Sequence, residues 1–218
     1  MKLPITAYTT LVFDCDGVVL DSNWVKTEAF YRATLPYGEA PAKAMVDYHI
    51  ANGGVSRYHK LTYFLAKIVP DHQGPDLGAL LEAFAGHVRE RLVDCAISPG
   101  LQALRQQAPR ARWLIVSGGD QCELRDVFAQ RGIAEWFDGG IFGSPDTKDE
   151  ILQREYASSN VRPPALFLGD SKYDYLAARA AGLDFVFLSG WTEVSDWRTW
   201  VRQNGLSHTT SIQSLLDR

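Results

Sequence analysis

Three carboxylates fall within eight residues near the start of the chain: Asp14, Asp16 and Asp21, in the stretch LVFDCDGVVLDS. Asp14 and Asp16 follow directly on an apolar run, and like charges so placed repel unless a cation or a proton sits between them. Three further polar positions also follow short apolar runs: Ser117 with Gly118 and Gly119, Lys148 after a Ser144-Pro145 turn, and Asp170 in a Gly-Asp-Ser turn. A third acid beside the first two makes an oxygen-only set for a hard cation, which favours Mg²⁺. A carboxylate nucleophile can form an acyl phosphate and so split a difficult displacement into two easier steps. A neighbouring acid whose environment raises its pKa can donate a proton to a leaving group. Phosphoryl transfer also needs donors around the equatorial oxygens, and Ser117, the Gly118 backbone N–H and Lys148 are of the right types.

These residues can act together only if the chain brings them to one edge. Five apolar runs, at residues 10–13, 113–116, 141–143, 165–168 and 185–188, are mostly continuous rather than alternating. That is the pattern of strands covered on both faces, as in a parallel sheet. Helical stretches at 101–107, 121–131, 148–157 and 171–181 separate them, with Gly132 and Gly182 as stops. Strand–helix alternation predicts an α/β, doubly wound, mainly parallel, Rossmann-like sheet. Ligands of such sheets bind outside the carboxyl ends of the strands, where these polar residues fall.

About a hundred residues separate the first run from the second, far more than one crossover helix needs. Helical patterns at 24–35, 56–69 and 77–93, broken at 35–38, 52–54 and 70–75, predict an inserted α-helical domain. The expected division is a catalytic core of residues 1–20 and 97–218 and a helical cap of residues 21–96.

FDCDGVVLDS, VSGG, Lys148 and FLGDSKYD, in that order, resemble the four signature stretches of the haloacid dehalogenase superfamily. The insertion resembles the helical cap of its phosphoglycolate phosphatase and β-phosphoglucomutase relatives. The resemblance implies that Asp14 is the nucleophile and Asp16 the general acid/base, with the Asp16 backbone carbonyl also on the metal. It implies that Ser117 and Lys148 hold the transferring phosphoryl group, with Gly118 beside it. Mg²⁺ would then be held by Asp14, Asp16 and Asp170, and Asp174 would orient metal-bound water or Lys148. An acid at the position of Asp16 favours phosphate esters, since halide leaving groups need no proton. In the cap, GGVSRYHK (residues 53–60) is similar to the specificity loop of sugar-phosphate members, which makes Arg57 and His59 candidate substrate contacts. Many relatives carry proline after the third-motif lysine, whereas Lys148 is followed by Asp149 and Glu150.

The function so implied is a Mg²⁺-dependent phosphatase of a small phosphorylated metabolite, a sugar phosphate or sugar-acid phosphate, working through an aspartyl-phosphate on Asp14. The alternatives are a phosphomutase of the β-phosphoglucomutase type and a catalytically silent phosphate-binding protein. Mutase-type relatives carry a histidine early in the first cap helix, and Asn23–Glu28 contains none.

Composition narrows the partners. A net charge of −4 with no basic stripe argues against nucleic acid, and no apolar run is long enough for a membrane span or a signal peptide. Three scattered cysteines without metal spacing are expected as reduced thiols in a cytoplasmic protein, with Cys15 packed as a small apolar side chain. Asp21 and Ser22 are expected to cap the first cap helix, and Asp120 and Ser171 to cap core helices. His49, His72, His87 and His208 are expected at the surface or in packing, and Trp191, Trp197 and Trp200 in packing or at an interface. Oligomeric state is open.

Overall fold

The computed structural model describes residues 4–71 and 73–216, so the expectation for His72 lies outside the described residues. The apolar runs form β1 (Thr10–Phe13), β2 (Arg112–Asp120), β3 (Gly140–Ser144), β4 (Ala165–Gly169) and β5 (Asp184–Leu188), joined by β6 (Ser207–Thr209). All pair in parallel, in the order β3-β2-β1-β4-β5-β6. Leu11 of β1 pairs with Trp113 on one side and Leu166 on the other. The continuous apolar pattern has the expected cause. Leu11 and Phe13 face one hydrophobic cluster while Val12 faces the other, so every β1 side chain is buried.

The core helices are α5 (Leu101–Gln107), α6 (Gln121–Gln130), α7 (Lys148–Ala157), α8 (Lys172–Ala180), α9 (Trp197–Gln203) and α10 (Ile212–Leu216). Between β1 and β2 the chain makes α1 (Asn23–Thr34), α2 (Glu39–Ala51), α3 (Arg57–Tyr63), a π-helical turn over Phe64–Ile68, and α4 (Leu77–Asp94). α1 packs on α2 and α4, and the apolar stripe of this helical insertion, including Phe30, Met45, Phe64 and Phe84, is continuous with one face of the sheet. The doubly wound α/β fold with a helical insertion is therefore present.

Three elements differ from the sequence expectations. β2 runs four residues past its apolar run, through Ser117 to Asp120. The helix α2 was masked by its alanines, since only Ala42, Met45 and His49 of it are buried and the 3.6-residue period is faint. β6 is a three-residue edge strand of polar type, too short for any period to show. The chain winds one way through β2 and β3 and the other way from β4, so its switch point lies between β1 and β4.

Candidate active site

Asp14 follows β1 and extends its ladder by one bond, its N–H donating to the Leu168 carbonyl at 3.0 Å. The chain then folds back on itself: the N–H groups of Val19 and Leu20 donate to the Cys15 carbonyl, at 2.9 and 3.0 Å. Gly17 makes that loop possible. Its φ is +77°, and a Cβ there would lie 2.1 Å from Asp170 Oδ2. Asp14 and Asp170 thus face each other across the switch point, one from β1 and one from the end of β4.

Asp14 Oδ1 accepts from the Cys15 N–H at 2.7 Å and from Lys148 Nζ at 2.9 Å. Lys148 Nζ also donates to Asp174 Oδ1. The other Asp174 oxygen accepts from the N–H groups of Asp170 and Ser171 at 3.2 and 3.0 Å and from Ser171 Oγ at 2.7 Å. Ser171 and Asp174 together form the capping box of α8, so Asp174 is tied both to a helix start and to Lys148. Lys148 itself opens α7, whose own capping box joins Thr147 and Glu150. Burial disfavours the Lys148 ammonium, but Asp14 and Asp174 outweigh it and hold its pKa above the ordinary lysine value.

The carboxylates are crowded. Burial raises Asp14 to about 7, with Asp174 and Asp16 adding to the effect and Lys148 opposing it. Burial pushes Asp170 well above the usual range, and Asp14 and Asp174 push it further. Side-chain oxygens of Asp14, Asp170 and Asp174 lie within 4.8 Å of one another. Around them, Asp14, Asp16, Asp170 and Asp174 are met by two ammonium groups, Lys148 and Lys26. A buried, oxygen-only cluster with negative charge in excess fits a hard divalent cation. Asp174 is committed to Lys148 and to the α8 cap, which leaves Asp14 and Asp170 as the carboxylates best able to hold it.

Asp16 is turned away from this cluster. Its Oδ1 accepts from Ser22 Oγ at 2.5 Å and lies 3.8 Å from Lys26 Nζ. This corrects the helix-cap expectation for Ser22. It stands at the N-cap position of α1, but its hydroxyl makes no cap bond and serves Asp16 instead. Asp120 and Ser171 do cap α6 and α8.

A cleft opens between the strand ends and the insertion, with Asp14, Asp16, Gly118, Gly119 and Asp170 on its floor. Ser117 sits behind this lining, fully buried, its Oγ accepting from the Gly119 N–H at 3.0 Å. Gly118 admits the insertion to the floor, because a Cβ there would lie 2.2 Å from the Gly54 carbonyl oxygen. Arg57 lines the cleft, but both its terminal nitrogens reach Glu123 Oε2 at 3.2 Å and its guanidinium lies 5.0 Å over the Phe84 ring. His59 is not brought there; it is exposed, with its Nδ1 2.9 Å from Ser56 Oγ.

Several cleft residues were not singled out from the sequence. Asn23 Nδ2 donates to Asp170 Oδ2 at 2.8 Å, and Thr192 Oγ1 to the Asp170 carbonyl at 2.5 Å. Lys26, Lys60, His49 and Glu193 line the roof. A signal for the two lysines was available, since each falls on the buried stripe of its helix, Lys26 beside Ala29 and Phe30 and Lys60 beside Leu61 and Phe64. A lysine on an apolar stripe needs a reason to be there. Cys15, between the two acids, is fully buried, and burial pushes its thiol well above the ordinary range, so it is packing rather than chemistry. All the cysteines are free, and no helix among the described residues is long and apolar enough to cross a membrane.

The family model of haloacid dehalogenase-like hydrolases matches residues 8–182. No curated protein sequence matches the chain. Among solved structures, a hydrolase from Pseudomonas syringae is 20% identical with a TM-score of 0.73, over 96% of both chains. A protein described as a predicted phosphatase, from Clostridium acetobutylicum, is 16% identical with a TM-score of 0.71, over 95% of this chain and 96% of that one. CbbY from Rhodobacter sphaeroides, solved in complex with phosphate, is 17% identical with a TM-score of 0.67, over 95% of each. With a family match that spans the strands carrying Asp14, Ser117 and Asp170 and the helix opened by Lys148, the chain belongs to the haloacid dehalogenase-like hydrolases.

Proposed function

We propose that this hydrolase is a Mg²⁺-dependent phosphatase of a small phosphorylated metabolite, a sugar phosphate or the phosphate of a sugar acid, with Asp14 as nucleophile. The observation that carries the reading is a buried Asp14, held at 2.9 Å by Lys148 and faced by Asp170, on the floor of a cleft that also exposes Asp16. The names of the similar structures, a predicted phosphatase and a phosphate complex, agree with it.

In the first step an Asp14 carboxylate oxygen attacks phosphorus and the ester P–O bond breaks. Asp16 gives its proton to the departing alkoxide. In the second, Asp16, now a carboxylate, takes a proton from water as that water attacks phosphorus. The bond to Asp14 breaks, phosphate leaves and both side chains return to their starting states. Ser22 Oγ, which donates to Asp16 Oδ1 at 2.5 Å, restrains that side chain. Ser117, the Gly118 N–H and Lys148 receive the phosphoryl oxygens. Mg²⁺, held by Asp14, Asp170 and the Asp16 carbonyl, would supply positive charge to offset that gathered on the phosphoryl group. Asp174 fixes Lys148. Residues 21–96 act as the cap that closes over the substrate, and the three free cysteines fit a cytoplasmic setting.

The test is Asp14→Asn assayed with p-nitrophenyl phosphate and Mg²⁺. The substitution abolishes phosphate release while the protein stays folded; turnover near that of the wild type would overturn the reading. Chelation abolishes wild-type activity and added Mg²⁺ restores it, an expectation that metal-independent hydrolysis would contradict.

A further inference from the structure

The cations of the roof are not all paired in the same way. Lys26 lies 3.5 Å from Glu123 and 3.8 Å from Asp16, and Arg57 lies 3.2 Å from Glu123. Lys60 is different. It is 1% exposed, and among the described residues its Nζ hydrogen-bonds to His49 alone, at 2.7 Å from Nδ1 and 3.4 Å from the carbonyl, while lying 5.5 Å over the Phe30 ring. Among the described residues no carboxylate lies within 4.0 Å of it. The acids that favour its ammonium, Glu193 and Asp16, act from beyond that distance, and a buried ammonium without a contacting counter-ion is costly unless something else supplies the charge.

His49 points to the same conclusion from the other side. With Lys60 as the ammonium, Nδ1 accepts from it and the ring proton sits on Nε2. That Nε2 is buried, 7% of the residue being exposed, and has no hydrogen-bond partner among the described residues. The nearest acid, Glu193, is 3.7 Å away and already accepts from Thr27 Oγ1 at 2.6 Å. Burial brings the Lys60 ammonium down to about 7, and burial together with Lys60 and Lys26 pushes His49 well below its ordinary range. Both residues line the cleft that holds Asp14 and Asp16. What they offer it is donors alone: the remaining Lys60 N–H groups and the His49 Nε2–H.

We propose that Lys60 and His49 receive a carboxylate on the leaving group, so that the site selects phosphate esters of hydroxy acids over esters of the corresponding neutral alcohols. A hydroxyl would leave the ammonium without a counter-charge, whereas a carboxylate supplies it and accepts from Lys60 and His49 at once. The inference rests on the phosphatase reading of the same site and narrows its substrate class.

The test compares matched esters, 3-phosphoglycerate against glycerol 3-phosphate and 6-phosphogluconate against sorbitol 6-phosphate, by kcat/KM with Mg²⁺. Wild-type protein prefers the acid by at least about tenfold in one pair, a difference of about 1.4 kcal/mol. In Lys60→Met that ratio falls to within about threefold of unity, and His49→Phe, which keeps the ring stacked on Phe30, lowers it in the same direction. No acid preference in the wild type, or one left intact in Lys60→Met, overturns the proposal. So does a preference for a bisphosphorylated ester over both members of each pair. Calorimetric titration with glycerate and gluconate, against glycerol and sorbitol, gives a readout that needs no turnover. The wild type binds the acids and Lys60→Met does not, and equal binding to the two proteins overturns the proposal. Failure of the phosphatase reading looks different, since then no ester is hydrolysed, p-nitrophenyl phosphate included. Thermal unfolding of Lys60→Met at or above the wild-type temperature shows that lost discrimination is not lost folding.

Discussion

The floor and the roof of the cleft are built from opposite charge and by different means. The floor is a set of carboxylates at the ends of strands that belong to one sheet, with Lys148 tied between Asp14 and Asp174. The roof is a set of cations on helices of the insertion, of which Lys26 and Arg57 are bonded down to Glu123 at the start of α6. Burial works against both surfaces: it raises the acids below and lowers Lys60 above. An excess of carboxylates below and, Glu193 apart, of cations above defines what belongs between them. The floor asks for a cation and a phosphoryl group, and the roof asks for an anion.

The comparison breaks most sharply at the floor. Asp14→Asn lowers kcat for any phosphate ester by at least roughly 10³-fold, the scale of losing a nucleophile outright. Asp16→Asn removes general acid/base help worth roughly 10²–10⁴-fold on alkyl esters. Its effect on the first step is smaller with p-nitrophenyl phosphate, whose leaving group needs little protonation, and single-turnover rates on the two substrate types check this. Equal losses on both would remove Asp16 from the acid role.

At the boundary between floor and roof, Arg57→Met breaks the ion pair with Glu123, both residues being nearly buried. It destabilises the protein by about 3 kcal/mol, measured by denaturant unfolding. No change in stability would show that this contact does not hold the insertion to the core.

The smallest effect sharpens the roof. Lys60 has a folded pKa of about 7, below its ordinary 10.5, so between these values the unfolded chain binds more protons and stability rises with pH. The groups acting on it are His49 from α2, Glu193, Asp16, Lys148 and Lys26. Lys60→Met removes that slope: its unfolding temperature exceeds the wild type by roughly 3–6 °C near pH 6.5, and the gap closes toward pH 10. A constant gap, or a variant less stable at low pH, would contradict the account of Lys60 as an unneutralised cation.

The floor was readable in the sequence because each of its residues sits next to a continuous apolar run or a helix stop, where position along the chain determines position in space. Asp14, Ser117 and Asp170 follow from strand ends, and Lys148 from the start of the next helix. The roof was not readable in the same way. Lys60 and His49 meet from different helices, one of which, α2, has too faint a period to be seen at all. Arg57 was singled out from its loop, but its pairing with Glu123 depends on how the insertion docks, and no local pattern encodes that. His59, two residues on, shows the same limit: the N-cap Ser56 holds its ring at the surface, away from the cleft. Ser22 misled for a related reason, since a helix-capping residue type at a helix start was claimed by a long-range partner, Asp16.

The central claim is a covalent phosphoryl group on Asp14, and acid-quenched turnover of a labelled phosphate ester tests it most directly. The account predicts an acid-stable, hydroxylamine-labile label on the peptide containing Asp14, absent from Asp14→Asn and accumulating in Asp16→Asn, where the water step is slowed. Steady turnover in the wild type with no label on that peptide, or label on another residue, would contradict it.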